Sequence, residues 1–423
     1  MQEEGSKAPT GPAWARPSKV RLGLGRGGAK RLLAFGAALA LVAGCSSSTK
    51  SQGSVGAGGG GGTAKGTPIP VGVIGSFTGS QSSSISTALS AIQAWSDSVN
   101  ATGGLSGHPI RLIVKEDNDS PSLGSAAAHE LINQDHVVAI LADWSDVDSS
   151  WLPFAKTSGI PVIGGTSIAG FGDTDYFPAQ TTVLAGVYGE LYGVKQKGLT
   201  RLGVAYCAEI AACSQALPLT KDYATKLGMS VVWSGAFSAT APDLTPQCLG
   251  MKQANVQAIL PAAPSDADIH LAEACYQQGL RAVYGTSSET LSNDWLAVPA
   301  FNGTIAEEGN APWFDNSTPA LMAFHAALAK FAPGKPLNPA SIDAWAAGKL
   351  FEAAVAASGS TTVTTSSVLT GLYSLKNETL GGIAPALNFT KGSAATVNCF
   401  FLVGVSGGKF TEPQGLNTSC APS

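Results

Sequence analysis

The sequence predicts an α/β protein of two lobes, each built on a parallel β-sheet with helices on both faces. From residue 68 onward, short apolar runs typical of buried strands alternate with apolar residues at helical spacing. This βαβα order is characteristic of parallel sheets. The order starts again after a connecting stretch near residues 175–185. The remaining chain of about 350 residues exceeds what one hydrophobic core usually holds, so we expect two lobes.

The first series of elements begins with a strand at 68–77 (PIPVGVIGSF). Apolar residues at three- and four-residue steps from Ile85 to Val99 then predict an amphipathic helix that ends at Gly103-Gly104. The elements expected next are strand 110–114, helix 126–132, strand 137–141, helix 151–156 and strand 161–163.

The second series of elements also alternates strands and helices, but it is followed by a tail of a different, β-rich pattern. Its expected elements are strand 202–206, helix 215–227, strand 229–233, helix 244–254, strand 256–261, helix 267–278 and strand 281–284. The tail 387–410 is β-rich, with hairpin turns predicted at Lys391-Gly392 and Gly407-Gly408.

Residues 1–45 have the pattern of an export signal. A basic region precedes an apolar stretch from Leu32 to Ala43, which is too short to span a bilayer as a helix. The stretch ends in Leu41-Val42-Ala43-Gly44-Cys45, which resembles the lipobox of bacterial lipoproteins. That resemblance implies that Cys45 is acylated and begins the mature chain. An ordinary cleaved signal with a chance cysteine is the alternative.

Residues 46–67 are rich in Ser and Gly and have no apolar pattern, as expected for a flexible tether between an anchor and a folded domain. After residue 45 the chain has 18 Lys and Arg against 27 Asp and Glu, a net charge of about −9. This acidic balance argues against nucleic-acid partners. It also argues against electrostatic attachment to anionic lipid, so the lipid on Cys45 would be the anchor.

The six cysteines after Cys45 are an even number in an exported chain, which predicts three disulfides. Six cysteines allow 15 pairings. We favour neighbours in sequence: Cys207–Cys213, Cys248–Cys275 and Cys399–Cys420. A metal site is disfavoured because there is no C-x2-C pair and the five histidines are scattered.

Two motif matches that would suggest enzymes lack their required context. The G-x-G-x-x-G string at 23–28 lies in the signal segment and follows no strand. The G-x-S-x-G string at 404–408 needs a later histidine, and none follows His325. No arrangement of base, nucleophile or metal ligands is evident, so we expect neither enzymatic activity nor a cofactor.

The segment 100–110 (NATGGLSGHPI) resembles the signature of periplasmic binding proteins of the leucine/isoleucine/valine type, a type I fold. Supporting matches are Thr78-Gly79 after the first strand, 117–119 (DND) after the second, 159–163 (GIPVI) at the fourth and Asp243-Leu244 at a later helix. The resemblance covers about residues 68–423. It implies two doubly wound lobes joined by a three-crossover hinge, with ligand held between them. We expect the N-lobe at 68–184 plus about 280–390 and the C-lobe at 185–279 plus about 391–423.

The resemblance also implies a binding site in the loops after the third and fourth strands. Ser145 matches a serine that binds a ligand carboxylate, and Trp144 could stack on an apolar part of the ligand. Thr166 and Ser167 match a small-residue loop that binds the same carboxylate. For each of these residues the alternative is a plain β–α loop with capping hydroxyls.

The C-lobe half fits an amino-acid ligand poorly. Ala185 and Ala241 occupy the positions where related proteins have acids for the ligand ammonium. Either Glu209 or Glu289 substitutes, or the ligand is not an α-amino acid, and the sequence leans to the second. Tyr206 ends a strand beside the Cys207–Cys213 loop, which would be either a rigid flap at the cleft or a surface staple.

These features predict an extracytoplasmic lipoprotein, anchored to the cell membrane, that delivers a small polar solute to the permease of an ABC importer. The solute would be an amino acid, an amide or a small carboxylate, captured by hinge closure of a monomer. The alternative is a sensing subunit that presents the bound solute to a membrane signalling receptor.

Overall fold

A computed structural model of the protein describes residues 64–78, 82–167, 169–170, 172–209, 213–214 and 216–422. The predicted signal segment 1–45 with Cys45, and the tether up to residue 63, lie outside the described residues. No helix in the described ranges is both long and apolar enough to cross a membrane.

The first sheet has five strands, all paired in parallel, in the order β2-β1-β3-β4-β5. They are β1 Ile69–Gly75, β2 Ile110–Glu116, β3 Ile140–Asp143, β4 Val162–Gly165 and β5 Tyr176–Phe177. The connecting helices are α1 Ser82–Ala101, α2 Pro121–Asn133 and α3 Leu152–Thr157. This order reverses direction between β1 and β3, and open α/β sheets bind ligands at such a reversal, outside the carboxyl ends of the strands.

The second sheet has eight strands, with the path β12-β11-β10-β9-β8-β6-β7 and β13 paired to β11. Its strands are β6 Arg201–Cys207, β7 Ser230–Phe237, β8 Ala258–Ala262, β9 Val283–Ser287, β10 Ile305–Glu308, β11 Cys399–Ser406, β12 Lys409–Thr411 and β13 Ser419–Cys420. Its helices are α4 Val183–Gln196, α5 Leu217–Lys226, α6 Thr245–Gln253 and α7 Ser265–Gln277. β6 to β10 are parallel, whereas β11 runs antiparallel to β10.

Three further helices return the chain to the first sheet. They are α8 Pro319–Phe331, α9 Pro339–Ala357 and α10 Thr365–Ser374. α9 packs on α1 and against β3 and β4, and it begins with a capping box at Asn338. Because β9 and β10 belong to the second sheet, the expected lobe boundary near residue 280 is too early. The sequence pattern alone gave no strand at β10, so the return to the first lobe was placed before it rather than after Glu308.

Both sheets are covered on both faces, as the βαβα pattern predicted. In the first lobe, α1 and α9 cover one face, and α2 and α3 cover the other with Leu131 and Trp151 fully buried. In the second lobe, α4 and α5 pack on one face, while α6 and α7 pack on the other. The predicted α/β fold of two doubly wound lobes is therefore confirmed.

The chain passes between the sheets three times, and the three crossovers are hydrogen-bonded side by side. The Thr181 N–H donates to the Gly309 carbonyl oxygen at 3.2 Å, and the Thr181 hydroxyl donates to the Cys399 carbonyl oxygen at 2.8 Å. Thr182 donates to the Val397 carbonyl oxygen through its N–H at 3.0 Å and its hydroxyl at 3.1 Å. The first crossover thus ties the other two together and forms a compact hinge.

The three disulfides join the cysteines that we paired as sequence neighbours: Cys207–Cys213, Cys248–Cys275 and Cys399–Cys420. Of the two predicted turns in the tail, Gly407-Gly408 joins β11 to β12 with both glycines at positive φ. Lys391-Gly392 also forms a turn, but residues 388–398 contain no strand, so the prediction of a hairpin there is wrong.

Candidate functional site

A cavity of about 190 Å³ lies at the hinge and is bounded by all three crossovers. We call it the hinge cavity. Each crossover contributes a lining residue: Thr181 from the first, Gly309 from the second and Ala395 from the third. The loop after β4 adds Thr166 and Ser167 from the first lobe. The ends of β9 and β10, together with α4, complete the cavity from the second lobe.

One face of α4 forms a long side of the hinge cavity. Val183, Gly186, Val187 and Glu190 all line it, and their spacing places them on the same face of the helix. The glycines on this helix let β10 approach closely. A Cβ added at Gly189 would lie 2.4 Å from Cγ of Glu307, whereas a Cβ at Gly186 would meet only ordinary contacts, the nearest at 3.4 Å.

Four carboxylic acids line the hinge cavity: Glu190 on α4, Glu289 after β9, Glu307 on β10 and Asp343 on α9. Glu307 and Asp343 are 4% and 2% exposed. Among the cavity-lining residues that the structure describes there is no Lys, Arg or His. The five ion pairs found in the described ranges also lie elsewhere. The cavity is therefore acidic and has no basic partner of its own.

Burial raises the pKa of every acid in this group. Burial, with repulsion from Glu289, raises the pKa of Glu190 to about 8 against a backbone hydrogen bond from Ser287. Burial raises the pKa of Glu289 to about 7. The pKa values of Glu307 and Asp343 also lie well above their usual range, chiefly because of burial. These acids therefore hold their protons to a higher pH than ordinary carboxyl groups do.

Asp343 is held by amides rather than by cations. Asn310 Nδ2 donates to Asp343 Oδ1 at 2.8 Å, and Gln180, with its amide nitrogen turned toward Asp343, donates to both carboxylate oxygens at 3.0 and 3.1 Å. Glu307 is less well satisfied. Its Oε1 is buried and has no hydrogen-bond partner among the described residues. An ionised carboxylate oxygen that is buried without a donor is costly, which agrees with the raised pKa of Glu307.

A second cavity of about 200 Å³, the cleft cavity, lies between the carboxyl ends of the strands of both sheets. From the first lobe it is lined by the start of α1 and by Trp144, Ser145 and Asp146 after β3. From the second lobe it is lined by Cys213 and by residues after β8 and β9. Thr166 and Glu289 line both cavities, so the cleft cavity and the hinge cavity adjoin there.

Two hydrogen bonds join the lobes at the start of α1. The Ser83 hydroxyl donates to Asp266 Oδ1 at 3.1 Å, and the Ser265 N–H donates to Ser84 Oγ at 3.3 Å. Ser84 also lines the cleft cavity. These contacts link the first turns of α1 and α7 across the cleft.

Trp144 and Ser145 both line the cleft cavity, but their side chains have different surroundings. Trp144 Nε1 is buried without a hydrogen-bond partner among the described residues. The Ser145 hydroxyl is occupied: it donates to Asp117 Oδ2 at 2.5 Å and accepts from Trp151 Nε1 at 3.1 Å. In this state, therefore, the Ser145 side chain holds the loop rather than pointing a free hydroxyl at a ligand.

The side chains of Thr166 and Ser167 also have different surroundings. Ser167 lines the hinge cavity, but its hydroxyl donates to Asp148 and accepts from the Gly170 N–H at 2.6 Å. Thr166 is half-buried where the two cavities meet, and its N–H donates to the Asp143 carbonyl oxygen at 3.1 Å. Of the two, Thr166 has the better-placed side chain for a ligand.

Only one of the three predicted C-lobe ligand residues lines a cavity. Glu289 lies where the cavities join, whereas Tyr206 packs beside α4 and lines neither cavity. Glu209 is exposed; it accepts from Ser238 Oγ at 2.6 Å, and this hydrogen bond lowers its pKa. Neither Ala185 nor Ala241 lines either cavity.

Sequence reasoning missed Glu190, Glu307 and Asp343. The run 305–310 (IAEEGN) held one usable signal, because paired acids close an apolar strand just before a glycine. Open α/β sheets bind ligands at that end of a strand. Glu190 and Asp343 lie on helices, and their positions become meaningful only when the crossovers are folded together. The described residues contain no cluster of His, Cys, Asp and Glu arranged to hold a metal ion.

Two α/β lobes, three crossovers and cavities between the lobes define a solute-binding protein of the hinged type. The sequence matches the family described as periplasmic binding protein over residues 68–409, and the chain belongs to this family. The family binds solutes outside the cytoplasm rather than catalysing reactions, which confirms the prediction of a non-enzymatic, extracytoplasmic protein. No curated protein sequence matches the chain.

Solved structures share the fold at low sequence identity. A branched-chain amino acid ABC transporter protein from Thermus thermophilus with bound valine has a TM-score of 0.75 and 14% identity, covering 84% of this chain and 97% of that one. A fatty acid ABC transporter substrate-binding protein from Thermomonospora curvata has a TM-score of 0.69 and 20% identity, covering 83% and 93%. A solute-binding protein from R. palustris in complex with benzoate has a TM-score of 0.68 and 15% identity, covering 82% and 95%.

Proposed function

We propose that this protein is the solute-binding component of an ABC-type importer and captures a small polar solute by closing its two lobes. The observation that carries the proposal is the pair of adjoining cavities, one at the hinge and one between the strand ends of both lobes. Solute-binding proteins close by rotation about hinge segments, and here three hydrogen-bonded crossovers form that hinge. Neighbours of this fold are described as proteins of ABC transporters.

The solute contacts would come from residues where the cavities meet. Thr166 offers a hydroxyl from the first lobe and Glu289 a carboxylate from the second, so a ligand bound to both would favour the closed form. Trp144 offers an apolar face and an N–H without a partner among the described residues. Ser145 and Ser167 would position these loops through their own hydrogen bonds. Tyr206 and Glu209 line neither cavity, and we propose no solute contact for them.

We further propose that a lipid on Cys45 holds the protein at the membrane, where it meets its permease as a monomer. The Ser/Gly-rich segment 46–67 would let the folded lobes reach that partner. Metabolic labelling with an alkyne fatty acid tests the anchor. The wild-type chain should be labelled and the Cys45→Ala variant should not. Equal labelling of both would refute it.

Solute binding is tested by isothermal titration calorimetry with the full chain in mild detergent. A panel of amino acids, amides, amines and small carboxylates should contain a solute that binds one-to-one and raises the melting temperature. Glu289→Gln should weaken that binding, whereas Glu209→Gln, a change at an exposed acid, should not. If no member of the panel binds, the proposed function fails. If a solute does bind, uptake of that labelled solute by cells with and without the gene distinguishes transport from sensing.

A further inference from the structure

We propose that the solute carries a positively charged nitrogen, an ammonium or guanidinium group, which enters the hinge cavity between Glu190 and Glu307. This inference rests on the proposed function, because it names the chemical class of the solute. It goes beyond Glu289, which lines both cavities, since Glu190 on α4 and Glu307 on β10 line the hinge cavity alone.

The first support is the charge balance of both cavities. The hinge cavity is lined by four acids and the cleft cavity adds Asp146, while neither has a basic residue among its described lining residues. An anionic group placed here would find no basic side chain to neutralise its charge, and it would raise the pKa values of these acids further. A cation instead stabilises the ionised acids and relieves their mutual repulsion.

The second support is the unpartnered oxygen of Glu307. Its side chain is 4% exposed and lines the hinge cavity; the carboxyl group receives a hydrogen bond from Thr181, but Oε1 has no donor among the described residues. An ammonium or guanidinium nitrogen supplies both of the missing components, a donor N–H and a positive charge. A neutral hydroxyl would supply only the first.

The third support is the shape of the wall opposite β10. The glycine at 189 lets the Glu307 side chain lie against α4, since a Cβ there would fall 2.4 Å from Glu307 Cγ. Val183 and Val187 form an apolar strip on the same helix face as Glu190. An alkyl stem that ends in a charged nitrogen matches a strip of this kind with an acid at its end.

The test is calorimetry on the full chain in mild detergent with four probes of equal chain length: 1,5-diaminopentane, pentylamine, pentanol and pentanoate. Agmatine adds a guanidinium group. At least one of the three cationic probes should bind at least tenfold more tightly than pentanol, and pentanoate should not bind measurably. Glu307→Gln should weaken cation binding at least tenfold. Glu209→Gln is the matched control because that acid is exposed and lines neither cavity.

The possible failures are distinguishable. If pentanol, pentanoate or another neutral or anionic solute binds one-to-one while no cation does, the inference is overturned and the proposed function stands. If nothing in the wider solute panel binds, both fail. Should Glu307→Gln unfold the protein, as judged by near-ultraviolet circular dichroism, Glu190→Gln replaces it. Unchanged cation affinity in a folded variant of either acid overturns the assignment.

Discussion

Raising the pH from 7 to 9 should tighten the binding of an ammonium-bearing solute by at least about 20-fold; Glu190 and Glu289 set this lower bound, and Glu307, whose pKa is also raised, adds to it. Burial and repulsion raise the pKa of Glu190 to about 8, and burial raises that of Glu289 to about 7. With these values, both carboxyl groups are ionised in only about one molecule in 20 at pH 7, and in about nine in ten at pH 9. A cation that needs both ionised therefore binds more weakly at pH 7, because binding must release protons.

The groups that face this pair are acids and one phenol. Asp268 interacts with Glu190. Glu289 interacts with Tyr176, Glu307 and Asp343. Glu308 in turn interacts with Asp343. None of the charges that shift these pKa values in the described structure is a Lys, Arg or His. The sign of the effect is therefore the same for each acid. Protonation at low pH opposes cation binding.

The assay is calorimetry at pH 7, 8 and 9 in two buffers of different ionisation enthalpy. The difference in measured enthalpy gives the protons released, which we expect to be at least about one per cation at pH 7. In Glu190→Gln the proton on Glu190 is no longer released, so the effect of the same change of pH should be about tenfold smaller than in the wild type. Affinity that is flat or falls between pH 7 and 9, with no proton release, would refute the reasoning. Above about pH 10 affinity should drop again as an amine loses its own charge.

Four further predictions follow from particular contacts. Gly189→Ala should weaken solute binding about tenfold because its Cβ would displace Glu307; calorimetry compares the variant with the wild-type chain. Asp266→Ala removes the Ser83 hydrogen bond between the lobes and should weaken binding about two- to tenfold without lowering the melting temperature of the ligand-free protein. Replacing Cys248 and Cys275 by Ala should lower the free energy of unfolding in denaturant by about 3.5 kcal/mol, against about 2 kcal/mol for replacing Cys207 and Cys213, which close a shorter loop. Only the Cys207 and Cys213 replacement should also alter affinity, because Cys213 lines the cleft cavity. Finally, the melting temperature of the ligand-free protein should fall from pH 5 to pH 9, since acids with raised pKa values stabilise the folded state only while protonated; Glu190→Gln should flatten that slope, and an unchanged slope would contradict the assignment.

Local periodicity was enough to predict most of the architecture. Most of the alternation from β1 to β9 is visible in the sequence because buried parallel strands are apolar runs and their helices are amphipathic. β5 and α4 were missed, because we took the stretch near residues 175–185 as a connection and predicted no helix before the strand at 202. β10 escaped prediction for a physical reason. Its four residues include Glu307 and Glu308, both buried, and acids inside a short strand break the apolar pattern used to find it. The error in the lobe boundary follows from that single strand.

The site was predictable in part, and the limit lies in the hinge. Thr166 and Glu289 follow strands, so the rule about strand ends finds them from sequence alone. Glu190 lies on α4 and Asp343 on α9, far apart in the chain, and the three crossovers bring them to one cavity. The acids missing at Ala185 and Ala241 suggested a ligand without an ammonium group. Glu190, Glu307 and Asp343 reverse that inclination, because they supply negative charge from positions that the resemblance did not indicate.

The hydrogen bonds of Thr181 to both other crossovers have a consequence for the order of capture. In a rigid rotation, displacement grows with distance from the axis, so the walls nearest the pivot barely move while the rim travels furthest. One end of a solute would therefore bind first in the hinge cavity beside Thr181, whose walls are already in place before the lobes close. The other end would be tested only on closure, when Ser83 and Asp266 must come within hydrogen-bond distance across the cleft. Under the proposed function, the hinge would thus select for charge and the closing rim would select for length.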